Sequence, residues 1–178
     1  MAGDPAAPRR AARESALGLL YEAEVKGLDP RRLLAELPAP PDPFAQELVA
    51  GVADHAPELD RLLADQAEGW ELSRMPALDR ALLRIGAFEL AHAPGVPSGV
   101  VLAEAVELAT RFSTEGSARY VNGVLAALAL RLRPGGARAV GTDPERAAVP
   151  AGEVDPGRGT VPAAGAGGEG GSGPGARC

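Results

Sequence analysis

The chain has almost no cysteine and few aromatic residues. Its 178 residues include one Cys, the last residue Cys178, which excludes a disulfide framework or a thiolate zinc site within one chain. Phe, Trp and Tyr make up 3% of the sequence, although the hydrophobic fraction is 46%. A core of this composition consists mainly of Ala, Leu and Val, and the abundance of Ala and Leu favours helices.

Long hydrophobic runs are also missing. Residues 1–8 lack the apolar stretch of a secretory signal, and no run elsewhere approaches the roughly 20 residues that cross a bilayer. The single cysteine agrees with a reducing compartment. We therefore expect a soluble protein of the cytoplasm that does not associate with a membrane.

Positive charge is scarce, because 18 Lys and Arg stand against 24 Asp and Glu, which gives a net charge of −6. Proteins that bind nucleic acid usually carry a basic surplus, so an RNA site here has to be a local patch on an acidic body. Lys26 is the only lysine, and Arg suits both phosphate binding and stacking on bases. A GC-rich genome would produce the same bias without a functional cause, and both explanations stay open.

The composition changes at Pro134. Residues 134–178 contain no Leu, Ile, Phe, Tyr or Trp and are rich in Gly and Pro. Such a segment cannot bury enough apolar surface to offset the entropy lost on ordering. The sequence therefore predicts a flexible N-terminus at 1–8, one helical domain at 9–133 and a disordered tail at 134–178.

Proline-marked breaks divide residues 9–133 into segments with apolar residues at helical spacing. Pro suits the first turn of a helix, where its missing N–H is no loss, so several segments are expected to start at a Pro. Ser117 is expected to be the N-cap of the last helix. No segment alternates as a strand does. The sequence predicts an all-α bundle of six or seven helices, at 9–26, 30–37, 43–54, 57–68, 76–91, 97–112 and 117–132.

Residues that could carry catalysis are scattered along the sequence. His55 and His92 lie far apart and belong to no recognisable ligand or nucleophile motif, so we expect surface or loop side chains. Glu104 and Glu107 lie opposite an apolar helix stripe and are expected to be solvated. We expect no catalytic residue, no metal ion and no cofactor, and hence a protein that is not an enzyme.

Basic residues cluster at the start of the first helix, in Arg9, Arg10 and Arg13. Residues three and four positions apart share a helix face, so these guanidinium groups are expected to lie close together. Cations at a helix N-terminus oppose the helix dipole, which favours an anionic partner as the explanation. A frayed and solvated first turn is the alternative.

The junction before the last helix, residues 113–123, is a second candidate surface. Ser, Gly and free backbone N–H groups at a helix start suit a phosphate. Arg119 and Tyr120 would add a cation and a stacking face for single-stranded RNA, and Tyr120 could also be a half-buried anchor of the helix. Asn122 and Gly123 both weaken a helix, which favours a close helix crossing or a functional contact there.

Four segments, in this order, resemble the NusB family of transcription antitermination factors. Each alone is unspecific, but together they cover residues 9 to about 130 and form a specific pattern. They are RRAARESALGLLYEAE at 9–24, LDRALLRIGAFEL at 78–90, VPSGVVLAEAVELA at 96–109 and YVNGVL at 120–125.

The resemblance implies two packed helical subdomains that bind the boxA element of nascent ribosomal RNA together with NusE, a small-subunit ribosomal protein. Such a complex, acting with other Nus factors, makes the elongating RNA polymerase resist termination. The resemblance assigns the NusE surface to Asp79 and Arg80. Ala11 replaces a third consecutive Arg of many relatives, and Gly116 replaces a common acidic residue. The resemblance assigns the RNA surface to Arg9, Arg10, Arg13, Tyr21, Arg84, Arg119 and Tyr120.

There are two alternatives to an RNA-binding adaptor. Ribosomal RNA methyltransferases can carry a NusB-like domain, but residues after 133 cannot form the cofactor-binding domain of such an enzyme. The other alternative is a helical protein-interaction module, or a homodimer, without direct RNA binding; scattered arginines would favour it. We expect Arg10→Ala and Arg13→Ala to weaken RNA binding but to leave thermal stability nearly unchanged, because exposed cations contribute little to folding. Leu125→Ala, as a core truncation, should cost ~2–5 kcal/mol.

Overall fold

The computed structural model describes residues 7–66 and 74–134, and six helices lie within those ranges. They are α1 (Ala7–Lys26), α2 (Pro30–Glu36), α3 (Pro43–Ala64), α4 (Ala77–His92), α5 (Ser98–Phe112) and α6 (Ser117–Leu132). No strand occurs in the described ranges, which confirms the predicted all-α class. None of the helices found there is long and apolar enough to span a membrane.

The predicted segments at the two ends of the chain can be compared with the described residues only in part. α1 begins at Ala7, inside the segment 1–8 that was predicted to be flexible. The predicted tail at 134–178 lies outside the described residues, apart from Pro134.

Asp–Pro pairs begin two of the helices in the first half of the chain. The side chain of Asp42 accepts a hydrogen bond of 2.8 Å from the backbone N–H of Phe44, and Pro43 is the first residue of α3. Asp29 and Pro30 play the same roles for α2. The carboxylate satisfies backbone donors that have no partner within the helix, and Pro presets the backbone of the first turn. The predicted proline starts are confirmed at these two helices.

α3 is one helix of 22 residues, where the sequence predicted two. The predicted break was wrong because Pro57 lies inside the helix. A Pro in this position removes one backbone hydrogen bond and favours a kink. Leu48 before it and Leu59 and Leu63 after it are all buried, so one continuous apolar face offsets this cost.

α4 lies at the centre of the bundle. It packs against α1, α3, α5 and α6, and ten of its 16 residues are buried. Through α4 the first three helices and the last three share one hydrophobic core. One continuous core therefore joins the helices that the structure describes.

Two glycines allow α4 to approach its neighbours closely. A Cβ atom on Gly86 would lie 2.5 Å from Cδ1 of Leu125 in α6, and one on Gly51 of α3 would lie 2.1 Å from the ring of Phe88. The close crossing predicted around Gly123 is wrong, because a Cβ atom there would meet nothing within 4 Å. Close packing therefore requires glycine in α3 and α4 rather than in α6.

Candidate nucleic-acid interface

Arg13 of α1 is buried, with 3% of its surface exposed. Its Nε and Nη2 atoms donate to the carboxylate of Glu89 in α4 at 3.0 and 2.7 Å, and its Nη1 atom lies 3.8 Å from Glu104 of α5. The prediction that Arg13 is an exposed, RNA-contacting cation is therefore corrected. The two-bond pair holds both charges inside the core, and an external ligand reaches Arg13 only if that pair breaks.

Arg10, one turn earlier, is partly exposed and faces α5. Its Nη2 atom donates to Glu104 at 3.0 Å, and its Nε atom lies 3.7 Å from Glu107. Glu104 is only 6% exposed, so the prediction that it is solvated was wrong, whereas Glu107 is exposed as predicted. Carboxylates of the protein itself therefore offset much of the positive charge at the start of α1.

Arg9 differs from the other two arginines of this cluster. Its side chain is exposed, and its guanidinium carbon lies 4.5 Å from the ring centroid of Phe44, a cation–π contact. Arg9 has no carboxylate partner within the part of the chain that the structure describes. Both residues line a groove of about 540 Å³, together with Val96, Pro97 and the exposed Val100 at the start of α5. A cation, an aromatic ring and apolar surface are thus combined in one open groove, which the carboxylates of Glu47 and the buried Glu104 also line.

The second candidate surface lies at the start of α6. Tyr120 is half-buried, and its hydroxyl lies 3.9 Å from the sulfur of Met75. Burial, together with the negative charge of nearby Asp79, raises the pKa of Tyr120 above its usual range. The predicted half-buried anchor is confirmed. Arg119 beside it is exposed and has no hydrogen-bond or ion-pair partner among the described residues.

Asp79 is buried, with 5% of its surface exposed. It accepts hydrogen bonds from the hydroxyl groups of Ser113 and Ser117, the latter at 2.8 Å. Its assignment as a direct NusE contact is therefore corrected, since Asp79 ties the start of α4 to the junction between α5 and α6. Ser117 is not the predicted N-cap, because Gly116 occupies that position with φ +93°. Such a φ favours glycine, which gives a physical reason for its presence here.

Arg80 and Arg84 reach from α4 toward the end of α1. Arg84 makes two hydrogen bonds of 2.8 Å to Asp60 of α3, and its Nη1 atom lies 3.8 Å from Glu24. The hydrogen bond to Asp60 raises the pKa of Arg84. Arg80 pairs with Glu24 and donates to the backbone carbonyl of Met75 at 3.2 Å. Arg84 is thus paired within the protein while 24% of its side chain stays exposed, and its assigned RNA contact remains a prediction.

The predicted RNA residues do not form one compact patch. Arg9 lies in the first turn of α1. Tyr120 contacts Met75, and Arg80 links Met75 to Glu24 near the other end of α1. Because a helix rises 1.5 Å per residue, Arg9 and Glu24 are separated by about 22 Å along the helix axis. The residues that were predicted to bind RNA therefore lie near both ends of α1, with Arg9 at its start and Tyr120 toward its end.

The groove at Arg9 includes residues that the sequence pattern did not reveal. Phe44 has helical spacing to Leu48 and Val52, a spacing that is typical of core positions. The structure leaves it half-buried, with its ring against Arg9. Tyr21, which the resemblance assigned to the RNA surface, is 42% exposed on α1.

Fold and surface define a class, an all-helical protein with an exposed cation stacked on an aromatic ring at the start of its first helix. Comparison with known proteins identifies the class more closely. The profile of the NusB family matches residues 10–130. Transcription antitermination protein NusB of Acidothermus cellulolyticus is 48% identical over 124 residues, which cover 67% of this chain and 86% of the relative. The same protein of Kineococcus radiotolerans is 44% identical over 127 residues, covering 69% and 93% respectively. The chain belongs to the NusB family.

Solved structures agree with this assignment. NusB of T. maritima is 32% identical and superposes with a TM-score of 0.62, over 68% of this chain and 90% of that one. A chain from the crystal structure of the antitermination factors NusB and NusE in complex with dsRNA is 25% identical. It has a TM-score of 0.59, over 69% of this chain and 96% of that one.

Proposed function

We propose that this protein is a transcription antitermination factor that binds boxA RNA of nascent ribosomal transcripts together with NusE. Its family supports this function, since the relatives described above are antitermination proteins. The related complex of NusB, NusE and dsRNA supports both partners. Through other Nus factors the complex acts on elongating RNA polymerase in the cytoplasm. The protein contributes by binding and performs no catalysis.

The RNA part of the proposal depends mainly on Arg9. Its guanidinium group is ordered on the ring of Phe44 while remaining exposed, and no carboxylate among the described residues has to be displaced before a phosphate can bind. Val100 adds apolar surface in the same groove, where a base can be accommodated. Arg10 and Arg13, by contrast, are held by carboxylates and contribute to the shape of this groove.

Arg9 and Glu24, the partner of Arg80, lie about 22 Å apart along α1, a span that an extended strand can cover. We propose that the RNA follows α1 from the Arg9 groove past the exposed ring of Tyr21 toward Arg119 and Tyr120. Arg119 supplies a second exposed cation without a partner among the described residues. Stacking on aromatic faces and phosphate contacts to Arg are the usual combination in single-stranded RNA recognition.

The proposed NusE surface lies around Asp79 rather than on it. Asp79 holds the junction of α5 and α6, where Thr114 and Glu115 are exposed. Arg80, whose side chain is 16% exposed beside Glu24, remains a proposed contact at the edge of this surface.

The internal pairing of Arg10, Arg13 and Arg84 favours one alternative, a protein-interaction module or homodimer that does not bind RNA directly. Fluorescence anisotropy with labelled boxA RNA and a scrambled RNA, with and without NusE, separates the two. We expect boxA to bind more tightly than the scrambled RNA and NusE to strengthen this binding. Failure to bind boxA even with NusE present would leave the interaction module as the function, and light scattering would then identify a homodimer.

A further inference from the structure

The fold brings together the only two histidines of the chain. His55 in α3 and His92 in the last turn of α4 stack with ring centroids 4.0 Å apart. Glu58, one turn after His55, places its Oε2 atom 3.1 Å from Nδ1 of His55 and 3.4 Å from Nε2 of His92. These ligand atoms, one from each side chain, all lie within 4.8 Å of one another. The prediction of unrelated surface histidines thus missed a cluster formed by two helices.

We propose that His55, Glu58 and His92 form a binding site for a divalent transition-metal ion of the zinc class. Two imidazole nitrogens and one carboxylate oxygen are a donor set that zinc uses, at about 2.0–2.2 Å. Two tetrahedral ligands at that distance are about 3.4 Å apart, and the N···O distances of 3.1 and 3.4 Å already match this spacing. Three protein ligands leave a fourth position for water.

The surroundings order the imidazole rings and leave the ligand atoms accessible. The ring of Phe88 lies 5.4 Å from that of His92 and 6.0 Å from that of His55, which gives both an apolar backing. The side chains of His55, Glu58 and His92 are 40%, 46% and 28% exposed. An ion can therefore enter from solvent. Because the two rings are stacked with 27° between their planes, at least one imidazole has to reorient before both nitrogens can face one ion, and the exposure of both side chains leaves room for this.

The location of the site suggests a structural role for the ion. Pro57, which interrupts the hydrogen bonds of α3, lies between His55 and Glu58. A metal ion held by both residues and by His92 would bridge this interrupted turn to the end of α4. The cluster shares no residue with the groove lined by Arg9 and Phe44, so metal binding is independent of the proposed RNA site.

The competing arrangement requires no metal. In it, the Glu58 carboxylate accepts an N–H hydrogen bond from each of the two imidazoles. Calorimetric titration of the full chain with Zn²⁺ distinguishes the two, provided that no histidine tag is present. The chain should carry Cys178→Ser, because the single thiol is a potential zinc ligand elsewhere. We expect one ion per chain, a higher Tm with Zn²⁺ and no binding of Mg²⁺, which prefers oxygen ligands.

In the same background, His92→Gln and Glu58→Gln should each weaken Zn²⁺ binding by at least about 100-fold, since even an outer-shell partner contributes 10–100-fold. Glu36→Gln is the matched control, because Glu36 is an exposed carboxylate paired with Arg32 on α2. Circular dichroism checks that each variant is folded. If His92→Gln does not fold, Glu58→Gln still tests the proposal, because Glu58 is exposed. Absence of Zn²⁺ binding, or binding that all three variants retain, would overturn the proposal.

Discussion

Arg13 and Glu89 form a buried ion pair that joins α1 to α4 through two hydrogen bonds of 3.0 and 2.7 Å. Removal of one partner leaves the other charge buried and uncompensated, which typically costs about 3–5 kcal/mol. We therefore expect Arg13→Ala to lower the free energy of unfolding by about that amount in urea denaturation. This reverses the expectation from the sequence, which treated Arg13 as an exposed cation.

Arg10→Ala is the control for that prediction. Arg10 is partly exposed, but its partner Glu104 is buried, and Arg13 still lies 3.8 Å from that carboxylate in the variant. We therefore expect a smaller loss than for Arg13→Ala, of about 1–3 kcal/mol. The double variant Arg13→Met/Glu89→Leu removes both buried charges and should recover much of the stability lost in Arg13→Ala. Equal, small effects of Arg13→Ala and Arg10→Ala would contradict a buried pair.

Gly51→Ala should destabilise the bundle. Its Cβ atom would lie 2.1 Å from the ring of Phe88, so that ring has to move within a packed core. Overpacking of this kind costs about 1–3 kcal/mol. Gly123→Ala is the opposite case, because a Cβ atom there meets nothing within 4 Å and Ala is the better helix former by about 1 kcal/mol. Thermal denaturation should give a lower Tm for the first variant and a higher one for the second.

Asp79→Ala should affect both stability and the titration of Tyr120. The hydroxyl groups of Ser113 and Ser117 lose their acceptor, at a cost of about 1–3 kcal/mol. The negative charge of Asp79 contributes, after burial, to the raised pKa of Tyr120, so its removal should lower that pKa while burial keeps part of the shift. In a Tyr21→Phe background Tyr120 is the only tyrosine, and ultraviolet absorbance follows its ionisation directly. An unchanged titration would mean that the two groups do not interact.

Helical spacing and proline positions predicted most of the fold, because apolar periodicity and the first-turn preference of Pro are local properties. Pro57 was misjudged, since the decision between a break and a kink depends on the core beneath α3. For the buried pair of Arg13 and Glu89, the sequence indicates one member: Glu89 has helical spacing to the apolar residues Leu82 and Ile85 and so lies on the inward face of α4. Its partner could not be identified, since nothing in the local sequence links α4 to Arg13.

The candidate site was predictable in composition but not in geometry. The Arg-rich start of α1 is evident in the sequence, yet only the tertiary structure shows that Glu104 from α5 pairs with Arg10 and that Arg9 stays exposed. Contacts between residues so distant in sequence depend on how helices cross. The same holds for His55 and His92, which only the packing of α3 on α4 brings together.

The salt dependence of boxA binding tests the central claim most directly. In the presence of NusE, Arg9→Ala should weaken binding and lower the slope of log K against log salt concentration by about 0.7, the value for one phosphate contact on a single strand. Arg32→Ala, which removes an exposed Arg paired with Glu36 on α2, should leave both affinity and slope unchanged. An Arg9→Ala variant whose affinity and slope equal those of the unmodified chain would contradict a phosphate contact at Arg9.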